Sequence, residues 1–200
     1  MKAIKVDKSI EIFQRNGGTL RAAQALECGI HPRDLYEMRD TGKIVQLSRG
    51  VYRLAEIEES VNSDLAVVAT RVSDGVICLI SALSFHEITS EIPQEVFLAI
   101  PRRKDTPRIS FPPTRSFRFS DDTIVAGVEK RPICNAEVKI FSMEKTIADC
   151  FKFRNRIGIR VALEGMKMCL AKNGSRVKIL EYARICRVER IISPYLEAID

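Results

Sequence analysis

Arg33, Tyr36 and Arg39 recur three residues apart, and a helix turning 100° per residue puts Arg33 and Tyr36 on one face with Arg39 at its edge. Guanidiniums and a phenol donate hydrogen bonds, so the chemistry of such a set is recognition of phosphates and of the acceptor edges of bases. Lys43, Arg49 and Arg53 follow closely and would neutralise further phosphates, and His31 stands just ahead of the set. A second basic group, Arg102, Arg103, Lys104 and Arg108, falls in the stretch 101–118, where six Lys/Arg face one Asp. That excess repels itself without a counterpart, which makes it a candidate second contact to an anion or partner. Asp122 with Glu137-Val138-Lys139 has the D…E-x-K form of a metal-dependent nuclease, in which two carboxylates hold Mg²⁺ and a lysine helps activate water. Loose spacing weakens that signal, because Glu and Lys also alternate on the exposed face of any half-buried strand.

Other chemistries are starved of residues. The chain has two histidines, His31 and His86, and any Ser-His-Asp or Cys-His arrangement would have to use one of them. Its six cysteines, Cys28, Cys78, Cys134, Cys150, Cys169 and Cys186, lie 50, 56, 16, 19 and 17 residues apart. Without a C-x-x-C pair they offer neither a zinc knuckle nor a redox motif, and all six are expected as buried free thiols. No phosphate loop, dinucleotide fingerprint or nucleophile elbow is present, so no cofactor, no metal and no catalytic set is expected.

At 200 residues and 22.6 kDa the chain is long enough for two small domains with real cores. An apolar fraction of 46% with 29% charged residues excludes disorder, and 10 Gly plus 8 Pro are too few for a fibrous chain. No apolar run nears the ~20 residues of a bilayer span, and MKAIKVDKSIEIF lacks a signal-peptide core, so a cytoplasmic protein is expected. The net charge of +6 favours an acidic partner, and residues 1–54 hold ten Lys/Arg against six Asp/Glu.

The elements that must carry the first basic set follow from periodicity. Val6, Ile10 and Phe13 make a helical stripe over Asp7 to Arg15, closed by Asn16-Gly17-Gly18. Thr19 is expected to cap a second helix from Leu20 to Glu27, with Leu20, Ala23 and Leu26 on its inner side. His31-Pro32 then opens a third, Pro32 to about Thr41, because proline suits the first helical position. Leu35 and Met38 form its inner face; Arg33, Tyr36, Glu37 and Asp40 lie opposite. Ile44 to Leu47 and Val51 to Leu54 read as a hairpin turning at Ser48-Arg49-Gly50. Together these make a winged helix-turn-helix of about 55 residues, whose third helix would enter the major groove amino-terminus first. The alternative for the same face is a solvated surface of a protein-binding winged helix.

After an acidic connector, Glu56 to Ser60, a second domain is expected: a helix over Asp64 to Val72, a buried helix from about Ser81, and strands at Val96 to Ile100, Arg115 to Phe119, Thr123 to Val128 and Val138 to Phe141. Helices follow over Met143 to Phe153, capped by Ser142, over Ile159 to Lys172, after Ser175, and from about Val188 to Ala198. The fold class is thus α+β: an N-terminal winged helix-turn-helix over 1–58, then a mixed α/β C-terminal domain with a helical tail over 61–200.

Gly17-Gly18-Thr19-Leu20-Arg21, Gly29-Ile30-His31-Pro32-Arg33 with Leu35-Tyr36, and Leu47-Ser48-Arg49-Gly50-Val51-Tyr52 resemble the amino-terminal domain of AbiEi antitoxins. Ser81 to His86, Phe141 to Phe151, Arg154 to Gly158 and Val161 to Gly165 are similar to that family's second domain. The resemblance implies a repressor that binds inverted repeats in its own promoter, and an antitoxin domain acting against a nucleotidyltransferase-like toxin without a stable complex. It also draws attention to Tyr52, which the hairpin alone would explain as packing, and to Lys145, Asp149, Arg154 and Arg156. Lys145 and Asp149 stand at i, i+4, where a structural ion pair is the simpler expectation. A stand-alone regulator whose second domain binds an effector or partner would carry the same motifs.

Overall fold

The computed structural model describes residues 2–16, 18–48, 50–55, 62–109, 111–134 and 136–199. The chain divides into two compact units, the break falling between Ser63 and Asp64. The expected acidic connector, the turn residue Arg49, Gly17 and the side chain of Val6 lie outside the described residues.

The amino-terminal unit comprises α1 (Lys2–Arg15), β1 (Thr19–Arg21), α2 (Ala22–Glu27), α3 (Pro32–Asp40), β2 (Ile44–Ser48) and β3 (Val51–Leu54). Its sheet has the order β1-β3-β2, all antiparallel. Thr19 therefore opens a strand rather than capping a helix. Gly18, at φ 79°, turns the chain and donates its N–H to Phe13 O at 2.7 Å, which leaves Leu20 opposite Tyr52 across the wing. The second helix consequently starts two residues late, at Ala22, and ends at Glu27. Ala25 is its buried residue, while Ala23 is exposed and Leu26 stands 45% in solvent, contrary to the expected stripe. The core is Phe13, Leu20, Ala25, Ile30, Leu35, Met38, Ile44, Tyr52 and Leu54.

The carboxy-terminal unit runs α4 (Ser63–Arg71), β4 (Val76–Ile77), α5 (Leu79–Phe85), β5 (Val96–Pro101), β6 (Thr114–Phe119), α6 (Asp121–Val125), β7 (Val128–Ile133), β8 (Ala136–Phe141), α7 (Met143–Lys152), α8 (Arg154–Ile157), α9 (Ile159–Ala171), α10 (Arg176–Cys186) and α11 (Glu189–Glu197). Its five strands form a mixed sheet, β6-β5-β4-β8-β7, with β5/β6 and β4/β8 parallel. Apolar residues cover both faces, which is why β5 reads as an unbroken apolar run. Val96, Leu98 and Ile100 meet Leu65 and Val68 of α4, and Phe97 and Ala99 share the larger core with the helices.

Two expectations fail here. Thr123 to Val128 is not a strand: Asp121–Val125 is a helix, started where Ser120 O accepts the Thr123 and Ile124 N–H groups, with Asp121 and Asp122 at its positive end. The strand lies further on, over Val128–Ile133, where charged residues pair with β8 and hide the apolar signal. The buried helix begins at Leu79, ahead of Ser81, because Val76-Ile77 is spent on a short central strand.

Ser142 caps α7, its Oγ accepting the Lys145 N–H at 3.3 Å, and seven successive residues, Lys145 to Phe151, are buried. Gly127, at φ 67°, lets the chain enter β7 directly over this helix; a Cβ there would stand 2.7 Å from Lys145 Cβ.

Candidate nucleic-acid interface

His31 Nδ1 accepts the Arg33 N–H at 3.2 Å, so His31 is the N-cap of α3, and Pro32 fills the first helical position, where no amide is needed. Leu35 and Met38 anchor the helix from below. The opposite side presents Arg33 and Tyr36 to solvent, Tyr36 at half its full exposure. The Arg39 guanidinium lies 5.2 Å from the Tyr36 ring centroid, and its Nε and terminal nitrogen sit 2.9 and 2.8 Å from Asp40 Oδ1. Asp40 thereby neutralises part of this face, raises the Arg39 pKa further, and holds the guanidinium in one pose. A phosphate approaching Arg39 would have to displace that carboxylate.

The end of α3 is tied to the wing. Lys43 N–H donates to Met38 O and Lys43 O accepts the Ala55 N–H, at 2.8 and 2.9 Å, and the Lys43 side chain projects into solvent at the junction. Arg53 lies on β3 level with Thr19 and Val45, on the sheet face away from Tyr52 and Leu54. Arg21, two residues along β1, shares that face. Sequence reasoning assigned Arg21 to a helix and so missed it; the signal was the alternation Thr19-Leu20-Arg21 around one buried leucine.

The remaining candidates do not converge on the same place. In the second basic group Lys104 pairs with Asp74, while Arg102, Arg103 and Arg108 are exposed and Arg102 O accepts from Arg118 at 3.0 Å. Lys145 and Asp149 are fully buried, the ammonium 2.7 and 2.6 Å from the two carboxylate oxygens and 4.1 Å from the Phe141 ring centroid. Cys186 Sγ donates to Asp149 Oδ1 at 3.3 Å. Burial pushes the Asp149 pKa up against the pull of Lys145, and the same burial pushes the Cys186 thiol up to about 12. This is a structural pair inside the core, out of reach of a substrate. Arg154 donates to Phe151 O at 2.9 Å and Arg156 lies over Phe117.

The carboxylates of the D…E-x-K pattern are occupied or apart. Glu137 pairs with Lys130 at 2.9 Å, Lys139 donates to Ser73 O at 2.9 Å, and Asp122 sits on α6. Among the described residues no group of three His, Cys, Asp or Glu could hold a metal. Four thiols are buried, but Cys28 and Cys134 are exposed, against the expectation for all six. Cys28 ends α2 and Cys134 sits in the β7–β8 turn, where the chain has no interior to offer them.

The class defined by this geometry is a winged helix-turn-helix unit joined to a mixed-sheet α+β unit. Residues 7–55 match the family described as transcriptional regulator, AbiEi antitoxin, so the expected resemblance holds for the amino-terminal unit, and the motifs from Ser81 onwards fall outside the match. No curated protein matches the chain. Among solved structures it is similar to the RV2827C protein from Mycobacterium tuberculosis, at 13% identity and a TM-score of 0.48, covering 91% of this chain and 81% of that one. No described helix is long and apolar enough to cross a membrane.

Proposed function

We propose that the chain is a DNA-binding autorepressor and antitoxin, which docks α3 in the major groove of inverted repeats in its own promoter and lays the wing along the backbone. The observation that carries this reading is the two-sided build of α3, with Leu35 and Met38 fixing it to the core while Arg33, Tyr36 and Arg39 stand outward from its capped amino end. Arg33 is the base-reading residue, Tyr36 and Arg39 contact bases or phosphates, and Lys43, Arg49 and Arg53 contact phosphates, with His31 beside the first of them. The carboxy-terminal unit supports the antitoxin role towards a nucleotidyltransferase-like toxin, without a stable complex and without catalysis of its own. This half follows the family resemblance alone.

The test is a gel-shift titration of the full chain on its own upstream region at two salt concentrations, with Arg33→Ala alongside. Salt-sensitive retardation of that region over random DNA, lost in the variant, is the expected result. Absence of any shift would make α3 a protein-binding face. Rescue of growth on co-expression with an adjacent toxin gene separates an antitoxin from a stand-alone regulator.

A further inference from the structure

The carboxy-terminal unit gathers cations at the end of its sheet. β6 is hydrogen-bonded to β5 alone; Arg115 shares the sheet face of Phe117 and Phe119, which are wholly buried, and its side chain is 41% exposed, whereas Arg118, level with Ile100, has the opposite parity and donates to Arg102 O. α7 and α8 bring two more to the same rings. The Arg156 guanidinium lies 4.2 Å from the Phe117 ring centroid, Arg115 lies 5.5 Å from that same ring, and the Lys152 ammonium is 5.8 Å from the Phe119 ring. Phe153 packs beneath, 5.3 and 5.2 Å from the two rings, and Arg154 follows it directly. Three cations, Arg115, Lys152 and Arg156, drawn from two distant stretches of chain, thus lie against these buried rings.

Their neutralisation is incomplete. Among the described residues the carboxylate that forms an ion pair with any of these three cations is Glu95, 3.5 Å from Arg115. No Asp or Glu occurs between Asp149 and Glu164. Like charges gathered so closely raise the energy of the free protein and favour a bound polyanion.

We propose that Arg115, Lys152 and Arg156 form a second surface that binds the phosphate backbone of duplex nucleic acid without reading its sequence. The buried rings decide between partners. A protein interface would need an exposed apolar centre, and single strands would need an open ring for base stacking, whereas Phe117 and Phe119 expose nothing. What remains is a cluster of two guanidiniums and an ammonium, whose donors suit phosphate oxygens. The surface lies wholly within one unit and does not rest on the reading of α3.

The experiment is fluorescence anisotropy of the full chain on a random-sequence DNA duplex across a salt series. Each phosphate contact contributes about 0.9 to the slope of log K against log salt. Arg115→Gln/Lys152→Gln/Arg156→Gln, which keeps the side-chain methylenes over the rings, is expected to lower the slope by about 0.9 per residue, and Arg156→Gln alone by about 0.9 once. The single variant decides the matter if circular dichroism shows the triple variant unfolded. An unchanged slope in a folded variant would overturn the surface, as would displacement of the duplex by polyglutamate at matched charge, since that would make it a site for an acidic protein. Failure here leaves the operator gel shift and Arg33→Ala untouched, so the two readings fail separately.

Discussion

In the amino-terminal unit the core is Phe13, Leu35, Met38, Ile44, Tyr52 and their neighbours, and the charges of α3 stand outside it; in the carboxy-terminal unit α7 carries Lys145 and Asp149 into the middle of the core. The same residue types therefore do opposite work. An exposed guanidinium keeps its water and can exchange it for a phosphate at little cost, which fits α3 for the binding role proposed for it, and truncating such a residue should leave the fold intact. A buried ion pair has surrendered its water already, so each partner is held by the other and removal of either strands a charge. Motif membership does not separate these cases, and the packing around each residue does.

The largest effect expected from that contrast is at the buried pair. Asp149→Ala should destabilise the carboxy-terminal unit by about 3–5 kcal/mol, and Lys145→Met/Asp149→Leu should recover most of that loss. Denaturant unfolding followed by circular dichroism measures both; an Asp149→Ala protein as stable as wild type would erase the distinction between the units. Arg33→Ala should instead leave unfolding unchanged and reduce discrimination between operator and random DNA by about 1–3 kcal/mol. Equal losses on the two DNAs would reassign Arg33 to the backbone.

A smaller effect concerns His86, whose Nε2–H donates to Phe141 O at 2.7 Å. Burial lowers its pKa below the ordinary 6.5 despite that bond and the nearby Glu129 and Glu144, with Arg131 adding to the lowering. Between the lowered value and 6.5 the unfolded chain binds more protons, so the neutral-histidine contribution is complete above 6.5 and is lost as pH falls below it. Thermal unfolding at pH 7.5 and 5.5 should show a decrease that His86→Gln diminishes; an identical decrease in the variant would place its source elsewhere. The smallest change is expected for Lys43→Ala, which should weaken operator and random DNA alike and lower the salt slope by about 1. A loss confined to the operator would make Lys43 a reader of sequence.

Much of the amino-terminal unit was legible before folding. Pro32 after His31, the Leu35–Met38 inner pair and the hairpin alternation depend on residues a few positions apart, and each is found where local rules put it. Thr19 was misread because a threonine before an apolar residue suits a helix cap and a strand equally. The choice fell to Tyr52, more than thirty positions along the chain, which pairs with Leu20. Thr123 to Val128 failed in the reverse sense: a β-branched run read as a strand is a helix, because Ser120 and two aspartates start one there.

What the sequence determined by itself was the α+β class, the third helix capped by His31 and the outward set Arg33, Tyr36 and Arg39, since periodicity and capping act within one or two turns of chain. Only the tertiary structure decided that Arg21 joins Arg53 on the wing, that Lys145 and Asp149 are sealed from solvent, and that Arg115 meets Arg156 over one ring. Burial and the meeting of distant charges depend on which surfaces are packed together, and that is set by the whole fold rather than by any short stretch of it.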